Sequence, residues 1–88
     1  MVVIQLGKTF NFGNCLAFRA EYESVERGRR IILDMAETGY IDSSALGMLL
    51  VCKERLDAMA CTLTLRRPRP EVRRVLEIAG FHQIFLID

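Results

Sequence analysis

The apolar positions of the chain change period from one segment to the next. Val2, Val3 and Ile4 open a β-branched run that ends at Gly7, which predicts a strand over residues 2–6. Lys8 to Gly13 carries a second short extended piece or a turn. Cys15, Phe18, Tyr22 and Val25 then recur at three- and four-residue spacing, with Arg19, Glu21, Glu23 and Glu26 between them. That is an amphipathic helix, with Asn14 as its N-cap and Gly28 as its stop. Ile31-Ile32-Leu33-Asp34-Met35 follows a basic pair and suits a strand covered on both faces.

After a loop at Glu37-Thr38-Gly39, a second helix is predicted from Asp42 to Ala60. Cys61-Thr62-Leu63-Thr64-Leu65 alternates polar and apolar and reads as a strand ended by Arg66 to Pro68. Pro70 and Gly80 bracket a third helix whose apolar face is Val72, Val75, Leu76 and Ala79. Ile84-Phe85-Leu86-Ile87 closes the chain as a short strand or docked tail. Strands and helices thus alternate over short connections. The fold class is a small α/β domain, a mixed β-sheet with helices packed against it, filling residues 1–88 as one unit. At this size, helices gathered on one face leave the other face of the sheet partly exposed.

Composition narrows the function. The chain is 51% hydrophobic and 26% charged, as a globular protein is. Twelve basic and eleven acidic residues give a formal charge of +1, so no net field draws it to nucleic acid or an anionic membrane. No apolar run approaches the roughly 20 residues that cross a bilayer, and residues 1–7 read as a strand, not a signal peptide. The expectation is a cytoplasmic protein. Cys15, Cys52 and Cys61 show no C-x-x-C spacing and only one histidine accompanies them, so they are read as buried thiols, with no metal site.

Other chemistry is thin. No Gly-rich phosphate loop and no nucleophile–base pair is visible, so neither an enzyme nor a cofactor is expected. His82 follows a helix, where a phosphocarrier histidine would precede one. Arg66, Arg67, Arg69, Arg73 and Arg74 cluster as a solvated strand end and helix face, or as a docking surface for an acidic partner. No aromatic residues interleave with them, which argues against nucleic acid.

The informative segment is Gly39-Tyr40-Ile41-Asp42-Ser43-Ser44-Ala45-Leu46-Gly47. One capping side chain satisfies a helix N-terminus, yet three stand together. The cluster is either a cap alone or a cap with a serine placed to carry phosphate, where free N–H groups and the helix dipole favour negative charge. Asp42 beside it opposes that charge. On a helical wheel Ala45, Leu49, Cys52, Leu56 and Met59 form the core stripe. Leu46, Leu50 and Val51 fall off it, with Gly47 between them. Either a neighbouring helix covers them, or they form a docking patch near the serines.

Here the residues resemble a known family. Ile41-Asp42-Ser43-Ser44-Ala45-Leu46-Gly47 is similar to the Asp-Ser-Ser/Thr-Gly-Leu-Gly signature of STAS domains in bacterial anti-sigma factor antagonists. Ile31-Ile32-Leu33-Asp34 resembles that family's central strand with its terminal aspartate, and Val72 to Phe81 resembles its last helix. The resemblance implies a phosphorylation-controlled binding module. It implies Ser43 as phosphoacceptor and Asp42, Ser44, Leu46, Gly47, Leu50 and Val51 as partner-binding residues. The implied partners are an anti-sigma factor that is also a serine kinase with a histidine-kinase-like ATP site, and a PP2C-type phosphatase. The unphosphorylated form would sequester the anti-sigma factor and free the sigma factor. A second expectation is a small STAS subunit of a membrane transport complex of the ABC type. Ala45 and Asn11 depart from the family pattern, which often has glycine and aspartate there.

Overall fold

The computed structural model describes the whole chain, Met1–Asp88. Its elements in order are β1 (Val2–Gln5), β2 (Thr9–Phe10), α1 (Cys15–Glu23), β3 (Arg30–Asp34), β4 (Tyr40–Ile41), α2 (Ser43–Ala58), β5 (Thr62–Arg66), α3 (Pro70–Ile78) and β6 (Leu86–Ile87). Two 3-10 turns, Phe12–Asn14 and Phe81–Gln83, lead into α1 and out of α3.

The main sheet has the order β1-β3-β5-β6, and β2 pairs with β4 in a separate two-stranded ladder. Every pairing is parallel. This corrects the mixed sheet expected above within the small α/β class. The reason lies in the connections: each link between neighbouring strands of the main sheet passes through a helix, and a helical crossover returns the chain in the same direction. Each crossover also steps the same way across the sheet, so right-handed connections place all three helices on one face.

One core results. Ile4, Ile31, Leu33, Leu63 and Leu65 from the strands meet Phe18 and Tyr22 of α1, Ala45, Leu49, Cys52 and Leu56 of α2, and Val72 and Leu76 of α3. The opposite sheet face has no helix on it. There Val3, Ile32, Thr64 and Leu86 lie in register across the four strands. Central Ile32 is buried while Val3 and Leu86 at the edges are exposed. So β3 is covered on both faces, but on this side neighbouring side chains do the covering.

The caps differ in detail from the sequence reading. Asn14 makes no side-chain cap to α1. Asn11 accepts from the N–H of Gly13 at 2.9 Å, and Asn14 accepts from the N–H of Asn11 at 2.9 Å, which closes a capping box on the 3-10 turn. Gly28 adopts φ +78° but lies beyond α1, which ends at Glu23. α2 stops at Ala58, two residues short of the expected end. The Cys61 N–H reaches the Leu56 carbonyl at 2.9 Å and the Ala60 N–H reaches that of Asp57 at 3.0 Å, a Schellman closure. Ala60 takes the left-handed conformation, φ +57°, that glycine usually supplies, so no glycine announced the stop. Gly80 does supply it after α3, at φ +78°.

Candidate functional site

The approach to α2 is pinned at each step. The Asp34 side chain, 7% exposed, accepts from the Ala36 N–H at 3.0 Å and from Arg67 Nη2 at 2.6 Å. The Arg67 guanidinium and then the Ala36 N–H hold the Asp34 carboxyl below the usual carboxylate range. Buried Thr38 donates its hydroxyl to the Gly7 carbonyl at 2.8 Å, and the Gly39 N–H donates to the Lys8 carbonyl at 2.9 Å. Phe10 and Ile41 then enter the core from the β2–β4 ladder. The chain therefore reaches Asp42 on a fixed frame.

The three polar residues divide the work there. Asp42 is extended, at φ −107° and ψ −179°, and its Oδ1 accepts from the Ala45 N–H at 2.8 Å. The Ser44 hydroxyl donates to the same oxygen at 2.7 Å. These two bonds, the serine hydroxyl first, hold the Asp42 carboxyl below its ordinary value, so it is ionised at neutral pH. Ser43 is the first residue of α2; it is exposed, and its hydroxyl takes part in none of these bonds. Asp42 caps, Ser44 steadies the cap, and Ser43 is left over, at a helix start whose first N–H groups lack intrahelical partners.

Next to the serines the outer side of α2 is apolar, and it turns charged at Glu54 and Asp57. Gly47 is exposed, Leu50 is 43% exposed and Val51 59%. Leu46 is half-buried and packs against the core, so it sits partly apart from that patch. Toward α1 the surface dips into a groove of about 420 Å³ between Phe12, Cys15 and Phe18 on one side and Ser44, Gly47 and Val51 on the other. Phe12 is 70% exposed and Leu16 81%. Sequence reasoning missed both. Their signal was apolar character off the Cys15–Phe18–Tyr22 stripe. Cys15, expected buried, is half-buried on this groove, whereas Cys52 and Cys61 are buried. Burial pushes the Cys52 thiol up to about 12.

The remaining candidates are dispersed. His82 is exposed in the turn after α3. Of the arginine cluster, Arg67 is tied to Asp34, Arg73 pairs with Glu77 at 3.3 Å, and Arg69 Nε donates to the Ala36 carbonyl at 2.9 Å. No three His, Cys, Asp or Glu side chains stand together to hold a metal ion. No helix is long and apolar enough to cross a membrane.

The STAS domain family model matches residues 1–88. The chain belongs to the STAS domain family. A STAS-domain containing protein of Pseudomonas aeruginosa is 39% identical over 88 residues, covering 99% of this chain and 87% of that one. BtrV of Bordetella bronchiseptica, named as an anti-sigma factor antagonist, is 34% identical over 97% of this chain and 75% of its own length. Among solved structures, the anti-sigma factor antagonist SpoIIAA in its unphosphorylated form superposes with a TM-score of 0.78 at 25% identity, over 98% of this chain and 77% of that one. The phosphorylated form of SpoIIAA, described as a Bacillus cell fate determinant, gives 0.71 at 24% identity, over 98% and 80%. This STAS domain is thus of the anti-sigma factor antagonist type in fold and sequence.

The two departures from the STAS pattern read differently in three dimensions. The Ala45 side chain is fully buried, so its methyl group faces the core and adds nothing to the outer surface of the STAS domain. Asn11 is spent on capping the turn before α1.

Proposed function

We propose that this STAS domain is an anti-sigma factor antagonist whose binding is switched off by phosphorylation of Ser43. One observation carries the reading: of three hydroxyl or carboxyl side chains at the start of α2, only Ser43 is both exposed and unengaged. The relatives named as anti-sigma factor antagonists, and the existence of SpoIIAA in unphosphorylated and phosphorylated forms, support it.

The partner is an anti-sigma factor that is also a serine kinase with a histidine-kinase-like ATP site. In the transfer, Ser43 Oγ forms a bond to the γ-phosphorus of ATP. The bond from that phosphorus to the bridging oxygen breaks, ADP leaves, and the hydroxyl proton passes to a base on the kinase. Asp42 already accepts two hydrogen bonds on Oδ1, which suits it to fixing the backbone more than to taking that proton. A PP2C-type phosphatase returns the serine by hydrolysis.

The switch follows from charge. A phosphate adds about −1.5 to −2 charges at pH 7. The first-turn N–H groups and the helix dipole tolerate it, so the fold survives. The interface does not: the dianion adds to ionised Asp42 and stands beside the apolar Gly47, Leu50 and Val51 surface. An unpaired charge at the edge of a docked surface costs a few kcal/mol, roughly a hundredfold in affinity.

The test is phosphorylation by the kinase with mass-spectrometric mapping, paired with isothermal titration. Ser43→Ala should bind constitutively and refuse phosphate. Ser43→Asp should fold and lose the partner. Phosphate confined to Ser44, or undiminished binding after modification of Ser43, would sink the mechanism.

A further inference from the structure

The sheet face that carries no helix has an order of its own. Alternate strand residues point to it, in rows that run across the strands. The middle row is Val3, Ile32, Thr64 and Leu86. Its two ends, Val3 and Leu86, are exposed apolar residues on the edge strands. The row at the C-terminal ends of the strands is Gln5, Asp34 and Arg66. Asp88 continues that row, with its N–H on the Leu65 carbonyl and its own carbonyl taking the Arg67 N–H. The row at the opposite end holds Arg30 and Thr62, both exposed.

Arg66 stands out among these residues. It is half-buried, yet it makes no ion pair. Asp34, its neighbour in register, is paired with Arg67 instead. Each Asp34 oxygen accepts one bond, from the Ala36 N–H or from Arg67, so acceptor capacity remains on both. The rows are also complementary to their own reversal. Turned about an axis between β3 and β5, the middle row sets Val3 on Leu86 and Ile32 on Thr64. The polar row, turned the same way, sets Arg66 over Asp34 and Gln5 over Asp88.

We propose that this face is the interface with a second copy of the chain, joined about a two-fold axis that runs along the strands between β3 and β5. Such a contact is isologous, with each copy giving and receiving the same pairs. Val3 of one copy packs on Leu86 of the other, and Arg66 meets the second copy's Asp34, twice over. The two sheets stack about 10 Å apart with their strands within about 30° of each other. An axis across the strands would set Arg66 on Thr62, with no charge to meet it. Arg30, exposed at the start of β3, is served by water.

Size sets the strength. Four strands at about 4.8 Å and five residues at about 3.3 Å make a patch of at most about 300 Å². A standard interface covers about 800 Å² per partner, so the pair is weak and forms at high concentration. The proposal does not depend on the reading of Ser43. All three helices lie on the far side of each sheet, so both copies keep Ser43 exposed.

Sedimentation velocity on the full chain, from about 10 μM to about 1 mM, brackets weak association and should show a monomer passing to a dimer. Val3→Lys and Leu86→Glu should each weaken the dimer by about tenfold or more, with the melting temperature held. Mixing these two proteins should restore it, because the lysine of one copy then meets the glutamate of the other while Leu86 still meets Val3. Dilution of the wild-type protein supplies a reading that needs no variant. Its amide resonances should shift at Val3, Thr64, Arg66 and Leu86 and stay fixed along α2. A wild-type monomer at every concentration overturns the interface. So does a dimer indifferent to both substitutions, or dilution shifts confined to α1 and α2. Two folded variants that fail to recover the dimer when mixed overturn this axis.

Discussion

Asp42, Ser43 and Ser44 can all bond at a helix start, the carboxylate only by accepting and the hydroxyls by donating as well, and the geometry there gives each a different fate. Because Ser44 and the Ala45 N–H share one carboxylate oxygen, Ser44→Ala should leave the cap in place and raise the Asp42 carboxyl toward its ordinary value. That protein should still take phosphate on Ser43. The acid response has a definite sign. Asp34 and Asp42 are both held below the usual carboxylate range, so the unfolded chain binds more protons than the folded one as pH drops. Their contribution is complete above the unfolded carboxylate value of about 4 and is lost as pH falls below it. A melting-temperature profile should be flat from neutral down to that point and then fall. Arg67→Gln should lower the neutral plateau and make the acid fall shallower, since Asp34 then titrates closer to normal. A profile identical to wild type would show that the pair adds nothing. The thiols give a second residue-level check. Cys15, half-buried at the groove, should react with a thiol reagent in the native protein, while buried Cys52 should react only on unfolding.

The second helix shows the same logic over a longer reach. Its inner stripe of Ala45, Leu49, Cys52 and Leu56 is fully buried, so Leu49→Ala should cost about 2–5 kcal/mol. Leu50, half a turn away, should behave otherwise. Leu50→Asp should hold the melting temperature near that of wild type and weaken partner binding about tenfold or more. Leu46→Asp should destabilise the fold, because that side chain packs on the core. Calorimetry and titration on the same samples separate the two. The end of the helix offers a gain. Ala60 holds φ +57° at a cost of about 1–2 kcal/mol for an L-residue, so Ala60→Gly should raise the melting temperature.

For the whole molecule, the parallel order β1-β3-β5-β6 puts β3 and β5 in the middle, with β3 the more buried. Amides of Ile31, Ile32 and Leu33 should therefore exchange slowest, near the global unfolding free energy. Protection greatest in α1 instead would contradict a core centred on that strand. How much of this was legible beforehand differs from element to element. The period of Cys15, Phe18 and Tyr22, the run at Ile31 to Leu33, and the Pro70–Gly80 bracket announced their elements, because side-chain period and backbone chemistry are local properties. Strand direction is set by crossovers that join distant residues, which no local pattern records, and the stop at Ala58 rests on an alanine in the left-handed conformation, which its residue type does not announce.

The candidate site divides along the same line. The sequence by itself determined that three polar groups meet at one helix start and that apolar residues lie off the core stripe nearby, since both follow from residue order and helical period. Only the tertiary structure decided which serine is free. That choice depends on which hydroxyl points at the Asp42 carboxylate, and Asp42 is aimed by a loop tied to the β1–β2 connection through Thr38 and Gly39 and to the end of β5 through Met35. The groove was likewise undecided. Phe12 comes from the turn before α1 and Val51 from the third turn of α2, far apart in the chain. They became walls of one trough only when two helices packed side by side on the same face of the sheet.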